Sequence, residues 1–303
     1  MILEEKHTSG FVNIIGKPNV GKSTLMNALV GERMSIITNK PQTTRHRIFG
    51  IVSDDHYQVV FSDTPGYIEN PSYKMQESMN DFVKTSFEDA DMVLFIVEIE
   101  DEPVESHPLL EGMKKLKVPV FLVLNKTDTV EPDVVLERIA AWTKLFKFKE
   151  IVPISALQEK NTDKLFELIL KYLPEGPVYF PKEQFTDRPE RFFVSEIIRE
   201  KILEQYHQEI PYSTEVMIES FEDTLTKSGE ELARISALIF VNRKTQKSII
   251  IGKGGSAIKK LGMESRKAIE TFLERKVFLE MHVKVKEGWR DDDRLLKGFG
   301  YKG

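Results

Sequence analysis

Residues 16–23 read GKPNVGKS, and this octapeptide narrows the folds open to the chain more than any other stretch. It follows the apolar run FVNIIG (11–16) and leads into a helical pattern, so it stands where a strand turns into a helix. Its spacing is that of the phosphate loop G-x-x-x-x-G-K-[ST]. Gly16 and Gly21 let the backbone wrap round a polyphosphate with its N–H groups pointing inward. Lys22 supplies a cation for the β- and γ-phosphates, and the Ser23 hydroxyl is an oxygen ligand for Mg²⁺. Asn19, Val20 and Thr24 complete the loop round the nucleotide.

The residues that follow fit the sheet such a loop needs. Apolar runs at 47–53 (RIFGIVS), 57–63 (YQVVFSD), 92–99 (MVLFIVEI), 120–126 (VFLVLNK) and 150–156 (EIVPISA) alternate with helical patterns. Several are apolar throughout, as strands buried on both faces are. Only DDH separates the runs at 47–53 and 57–63, so these form a hairpin with one antiparallel edge strand. The expected first domain is an α/β P-loop fold with a mixed, mostly parallel six-stranded sheet.

The base and the switch segments are written in short motifs. NKTD at 125–128 ends a predicted strand. Guanine presents N1–H and an exocyclic amine side by side, and one carboxylate can accept both, so Asp128 is the base reader. Asn125 holds the other edge of the base and Lys126 packs across its ring. SAL at 155–157 (Ser155, Ala156, Leu157) follows the next strand and offers the Ala156 N–H to the guanine oxygen. In DTPGY (63–67), Asp63 holds Mg²⁺ through a water and the Gly66 N–H meets the γ-phosphate. In QTTRHR (42–47), Thr44 rather than Thr43 completes the Mg²⁺ shell. His46 either contacts a ligand or is a solvated side chain. Lys22, Thr44, Asp63, Gly66 and Tyr67 are therefore the catalytic candidates.

Together these four motifs resemble a translation-factor-related GTPase domain over residues 8–175. Ras-like members of that class orient the attacking water with a glutamine after the glycine. Tyr67 stands there instead, which implies slow intrinsic hydrolysis. In related bacterial GTPases an asparagine at the position of Asn19 accompanies a bound K⁺, so K⁺ joins GTP and Mg²⁺ as an expected cofactor.

At 303 residues the chain has room for two domains, and prolines 174, 177, 181 and 189 mark the junction. The expected division is a GTPase domain at 1–178, a linker at 179–190 and a second domain at 191–303. With no cysteine, disulfides and thiolate chemistry are excluded. No apolar run reaches the roughly 18 residues of a membrane helix. The net charge of −5 is uneven, because residues 1–180 carry −7 and residues 181–303 carry +2. From Leu232 to Met263 there are seven basic residues and no acid, which suggests a local anionic partner.

That window holds a second glycine loop. The run IIIGKGGSAI (249–258) has the look of another strand–glycine–helix turn. GKGG (252–255) lacks the lysine–hydroxyl pair of a nucleotide loop but fits G-x-x-G with a basic residue inside. The surrounding order is helix, strand, strand, helix, helix, strand, with QKSIII leading into the loop. That is a type II KH arrangement, an α+β RNA-binding domain whose glycines admit a sugar-phosphate chain. Arg243, Lys244, Lys247, Ile251, Gly252, Lys253, Gly254, Gly255 and Lys259 are the RNA-binding candidates. The terminal WRDDDRLLKGFGYKG either caps this domain or touches RNA through Trp289, Arg290 and Lys297.

A GTPase domain followed by such a KH domain resembles the Era family, and QTTRHR, DTPGY, IVPISA, VSEIIREK, IIIGKGG and VKVKEGW all stand where that family has them. The resemblance implies GTP binding and hydrolysis, and binding of the single-stranded 3′ end of 16S ribosomal RNA. It also implies a role in maturation of the small ribosomal subunit, a cytoplasmic location with peripheral contact to the membrane, and a monomer. Rival readings are an RNA chaperone with static nucleotide, a membrane-associated switch and an ATPase.

Overall fold

The computed structural model describes residues 7–38 and 40–302. They divide into two compact units, one drawn mainly from the chain up to Asp187 and the other from Arg188 onward.

In the first unit the strands are β1 (Thr8–Ile15), β2 (Ile48–Ser53), β3 (Tyr57–Asp63), β4 (Met92–Glu98), β5 (Val120–Asn125) and β6 (Glu150–Pro153). The helices are α1 (Lys22–Val30), α2 (Lys74–Glu88), α3 (Pro108–Met113), α4 (Pro132–Leu145) and α5 (Thr162–Tyr172). The sheet order is β2-β3-β1-β4-β5-β6. Only β2 runs antiparallel, paired to β3 from Ile48–Asp63 to Ser53–Gln58. The apolar runs of β4 and β5 lie buried in mid-sheet, as continuous apolar strands must. Trp142 of α4 is fully buried and meets Phe95 edge-on, with ring centroids 5.6 Å apart.

Three local features differ from expectation. The run 150–156 is extended in the sheet only over Glu150–Pro153. Beyond it the chain turns out, because Ser155 N–H donates to Lys160 O (3.1 Å) and Ala156 N–H to Asn125 Oδ1 (2.9 Å). His46 is buried rather than solvated, its ring 6.3 Å from that of Phe82. The proline-rich segment after α5 is strapped along the sheet edge: Ile51 N–H donates to Phe185 O at 2.8 Å, and Gln58 bonds the backbone of Tyr179 and Phe180. This covers the otherwise open backbone of β2, an edge that would invite pairing with another chain.

The second unit runs α6 (Glu190–Gln205), β7 (Thr214–Leu225), β8 (Glu231–Val241), α7 (Lys244–Ile251), α8 (Ser256–Leu273), β9 (Lys276–Val285) and α9 (Asp293–Gly298). Its sheet order is β7-β8-β9, with β8 and β9 parallel. Val194, Ile198 and Ile202 of α6 and Leu261 and Ile269 of α8 bury against Ile235, Ala237 and Ile239 of β8. The apolar run QKSIII is the end of helix α7, so the second glycine loop joins two helices and is not entered from a strand. Trp289 is fully buried and its Nε1–H donates to Ser213 O at 3.1 Å. It is core and has no face to offer RNA. Leu296 and Tyr301 are buried too, so the terminal segment caps the domain.

Candidate nucleotide and RNA sites

The phosphate loop leaves β1 at its C-terminal end and enters α1. Gly21 has φ +98°, and a side chain there would strike the Asn125 amide. Gly66 approaches from the other side; a Cβ on it would lie 2.6 Å from Pro18 Cα and N. Both positions thus require glycine by contact with neighbouring loops. Lys22 is buried under this cradle, with Nζ donating to the carbonyls of Gly16 (3.2 Å) and Lys17 (2.7 Å). Burial pulls its pKa down to about 8, against the opposing pull of Asp63. An ammonium so poorly solvated is poised to gain from an arriving phosphate.

Three oxygen groups meet beside it. Ser23 Oγ donates to Asp63 Oδ2 at 2.7 Å and lies 2.8 Å from Thr44 Oγ1; Thr44 Oγ1 is 3.4 Å from the same carboxylate oxygen. The Thr43 hydroxyl is instead bonded to Lys40 O at 2.6 Å and lies 2.7 Å from Thr38 Oγ1. Burial raises the Asp63 pKa, while its bond from Ser23 and the charge of Lys22 oppose that rise. Its Oδ1 is buried without a hydrogen-bond partner among the described residues. Two hydroxyls and a carboxylate with an unspent oxygen form a hard-oxygen set, which suits Mg²⁺ bound together with waters and phosphates. Among the described residues no cluster of three or more His, Cys, Asp or Glu could hold a metal ion.

The base-binding motif is held from β5. Asn125 is buried; its Nδ2 donates to Val20 O at 2.8 Å and its Oδ1 accepts the Ala156 N–H at 2.9 Å. Both ends of the amide are therefore spent on protein, and so is the Ala156 N–H expected to face guanine. Asn125 thus ties the phosphate loop to the 155–157 loop. Lys126, in left-handed backbone with φ 62°, pairs with Glu98 at the end of β4 (2.7 Å). Leu157 is 80% exposed, an apolar side chain turned to solvent beside the Asp128 loop.

These groups open on one cavity of about 450 Å³, lined by Asn19, Gly21, Lys22, Ser23, Thr24, Thr44, Gly66, Asn125, Lys126, Asp128, Ser155 and Leu157. Five expected residues lie outside its wall, Gly16 being packed against Ile96 of β4. Val20 is core, Asp63 reaches it through Ser23, Ala156 sits behind Asn125, and the Tyr67 ring packs on the apolar cluster around β4 and β5. Ile36, Ile37 and Thr38 line it unannounced, and Gln42 and Thr43 of QTTRHR line it as well. No motif marks Ile36, Ile37 and Thr38; their signal is that the apolar SIIT stretch (35–38) stands a few residues before the switch threonines.

In the second unit the G-x-x-G loop joins α7 to α8. Gly252 (φ 73°, ψ 171°) is in a region open essentially to glycine alone, and a Cβ there would lie 2.6 Å from Ala257 Cβ. At Gly254 and Gly255 a side chain would meet nothing within 4 Å, so the loop faces open space. Lys253, Lys259, Arg243 and Lys244 are exposed around it, and Lys247 and Ile251 are half-buried. Gln246 Oε1 accepts the N–H groups of Asn242 and Arg243 at 2.9 Å each, closing the start of α7. Ile249, 51% exposed on α7, is an apolar face that the basic pattern did not single out.

A phosphate loop on a central strand, a hydroxyl–carboxylate oxygen set and the NKTD loop on the same cavity define a P-loop GTPase domain, and the helix–G-x-x-G–helix unit after it is a KH domain. The 50S ribosome-binding GTPase family matches residues 11–126, and the KH domain family matches residues 209–290. The chain belongs to the Era family of GTPases: it is 45% identical to GTPase Era of Geotalea uraniireducens over 99% of both chains. It is also 46% identical to GTPase Era of Clostridium kluyveri over 97% of this chain and 99% of that one. Among solved structures, Era in complex with MgGDPNP and nucleotides 1506–1542 of 16S ribosomal RNA superposes with a TM-score of 0.92 at 39% identity, covering 98% of this chain and all of that one. A tyrosine-to-alanine variant of Era from Aquifex aeolicus bound to GDP and AlF₄⁻ gives 0.91 at the same identity and the same coverage.

Proposed function

We propose that the protein binds and hydrolyses GTP at the first cavity and grips the single-stranded 3′ end of 16S ribosomal RNA at the second glycine loop, assisting maturation of the small ribosomal subunit. The observation that carries the reading is the convergence of Lys22, Ser23, Thr44 and Asp128 on one cavity large enough for a nucleotide. In this reading the loop N–H groups and Lys22 hold the β- and γ-phosphates, and Asp128 accepts both guanine donors. Ser23 and Thr44, with Asp63 through a water, would hold Mg²⁺, which would supply charge neutralisation at the phosphates. The Gly66 N–H orients the γ-phosphate. With the Tyr67 ring packed on the core, water is placed by backbone or by an ion, and intrinsic turnover is slow.

Asn19 supports K⁺ as that ion: it lines the cavity, in left-handed backbone with φ 66°. The ribosomal RNA partner is supported by the 16S fragment bound to the similar Era, and by the open, basic loop at Lys253. A cytoplasmic monomer with peripheral membrane contact belongs to the same reading by family; among the described residues no helix is long and apolar enough to cross a membrane.

The test is single-turnover GTP hydrolysis with and without a 16S 3′-end oligonucleotide. RNA is expected to raise the rate or shift nucleotide affinity, and GTP to shift RNA affinity by the same factor, because binding linkage is reciprocal. If RNA changes neither rate nor affinity, nucleotide is a static structural ligand and the coupling is rejected.

A further inference from the structure

A second basic surface lies at the other end of the GTPase sheet. The phosphate loop follows the C-terminal end of β1, but Val120 opens β5 and Lys149 immediately precedes β6. The loops before these two strands, with the end of α5, wall a groove of about 870 Å³. A strand of six residues separates it from the nucleotide cavity, about 20 Å. Lys114, Lys117, Lys147 and Lys149 line the groove, over a floor that includes Phe146, Phe148 and Tyr172.

Charge here runs against the rest of the domain, which carries −7 over residues 1–180. Stretches 113–120 and 142–149 each hold three lysines and no acid. Lys114 pairs with Glu111 at 2.6 Å, and the Glu150 carboxylate accepts from Tyr172 OH at 2.7 Å. Lys117, Lys147, Lys149 and Lys171 make no ion pair among the described residues. Lys149 and Lys171 instead rest on the Tyr172 ring, 4.9 and 5.1 Å from its centroid. Phe146 and Phe148 touch at 4.8 Å, and Phe148 stacks on buried Phe95, so the floor is anchored in the core. With their ammonium groups held against the Tyr172 face while the residues stay exposed, Lys149 and Lys171 are already partly ordered for an anion.

We propose that this groove is a second RNA-binding surface, which takes the sugar-phosphate backbone of structured RNA without reading its sequence. The surface is concave, so it fits a protruding backbone ridge better than a flat bilayer. Its aromatic side chains are half-buried, and none of the exposed large apolar residues lies in it, so it has no side chain to insert into lipid. This surface is separate from the KH loop, which takes single strands.

The test uses the full-length protein and a blunt RNA duplex of about two turns, which offers the KH loop no unpaired nucleotides. Binding is followed by fluorescence anisotropy between about 50 and 200 mM KCl. The variant carrying Lys117→Gln, Lys147→Gln, Lys149→Gln and Lys171→Gln is expected to lose about tenfold in duplex affinity, with a salt slope shallower by about 3. Its melting temperature, its RNA-independent GTP hydrolysis and its binding of a 16S 3′-end oligonucleotide stay at parental values. The corresponding four-arginine variant keeps duplex binding. Gly254→Asp does the opposite, losing the oligonucleotide and keeping the duplex, which separates failure of this surface from failure of the KH reading. The proposal is overturned if the parent does not bind the duplex, or if the glutamine variant binds it as the parent does. Groove-dependent flotation with phosphatidylglycerol vesicles alongside unchanged duplex binding overturns it in favour of lipid.

Discussion

Asn125 Nδ2 donates to the carbonyl of Val20 at 2.8 Å, tying the base-binding motif to the middle of the phosphate loop across 105 residues of chain. The other end of the same amide takes the Ala156 N–H. One side chain thus sets the spacing between the parts that hold phosphate and the loops beside the base. Asn125→Ala removes both bonds and leaves a buried carbonyl and a buried N–H without partners, at about 1–3 kcal/mol each. The expected result is a drop in GTP affinity of about a hundredfold, together with a lower melting temperature of the nucleotide-free protein. Calorimetric titration and thermal unfolding check both. An affinity loss with unchanged stability would mean that Asn125 acts on the base directly.

How much of this was legible in the sequence depends on distance along the chain. The chemistry of the phosphate loop, NKTD and G-x-x-G lies in contiguous residues, so residue type and spacing disclose it. The bonds of Asn125 do not, because its partners stand 105 and 31 positions away. QKSIII shows a different limit. The element order places a helix there, yet three consecutive isoleucines entering a glycine turn have the look of a strand; the Gln246 cap and the glycine at 252 close the helix round them. His46 looks like a surface residue in a charged context, and the sequence leaves Trp289 open between a cap and an RNA contact, because burial of an isolated aromatic leaves no local trace.

Lys22 gives a pH signature. Its folded pKa is near 8, below its ordinary value of 10.5, because burial disfavours the ammonium. A bound phosphate restores the charged form, so nucleotide binding takes up a proton at pH above about 8. Affinity for GDP should then fall as pH rises past 8, by up to about tenfold per unit. The nucleotide-free protein should behave in the opposite sense. Between about 8 and 10.5 the unfolded state binds more protons at this group, so its contribution to stability rises with pH. Lys22→Met abolishes both dependences. A flat affinity profile from pH 7.5 to 9.5 in the parent would refute the buried-ammonium account.

Asp63 acts in the acid range. Burial raises its pKa, so just above the ordinary carboxylate range the folded protein holds a proton that the unfolded chain has lost. Its contribution to stability is undiminished at low pH and falls as pH rises through the folded pKa. Mg²⁺ needs the carboxylate form, so Mg²⁺ with GDP stabilises increasingly across that same window. Melting temperatures with and without Mg²⁺ should therefore diverge as pH rises. Asp63→Asn removes the divergence and lowers hydrolysis by at least about a hundredfold, measured in single turnover.

Glu98 places Lys126. Their 2.7 Å ion pair is about one-third exposed on each side, so its contribution is small. Glu98→Gln should weaken GTP binding by only about two- to fivefold and leave the single-turnover rate at saturating GTP unchanged. A large effect on the rate would place Glu98 in the chemistry rather than in positioning.

The two ends of the G-x-x-G loop separate shape from charge. Gly252 sits in backbone that side chains avoid, with Ala257 Cβ 2.6 Å from where a Cβ would stand. Gly252→Ala therefore forces α7 and α8 apart, costing about 1–3 kcal/mol, and lowers RNA affinity through the distortion. Gly254, at φ 60°, has nothing within 4 Å of an added Cβ. Aspartate tolerates that left-handed conformation better than most residues. Gly254→Asp should then barely move the melting temperature, yet set a negative charge where the strand's phosphates pass and abolish binding of the 3′-end oligonucleotide. Gly254→Asn, isosteric and neutral, should recover most of the affinity. If Asn and Asp variants bind equally weakly, space at the loop decides recognition and the phosphate path runs closer to Gly254 than to Lys253.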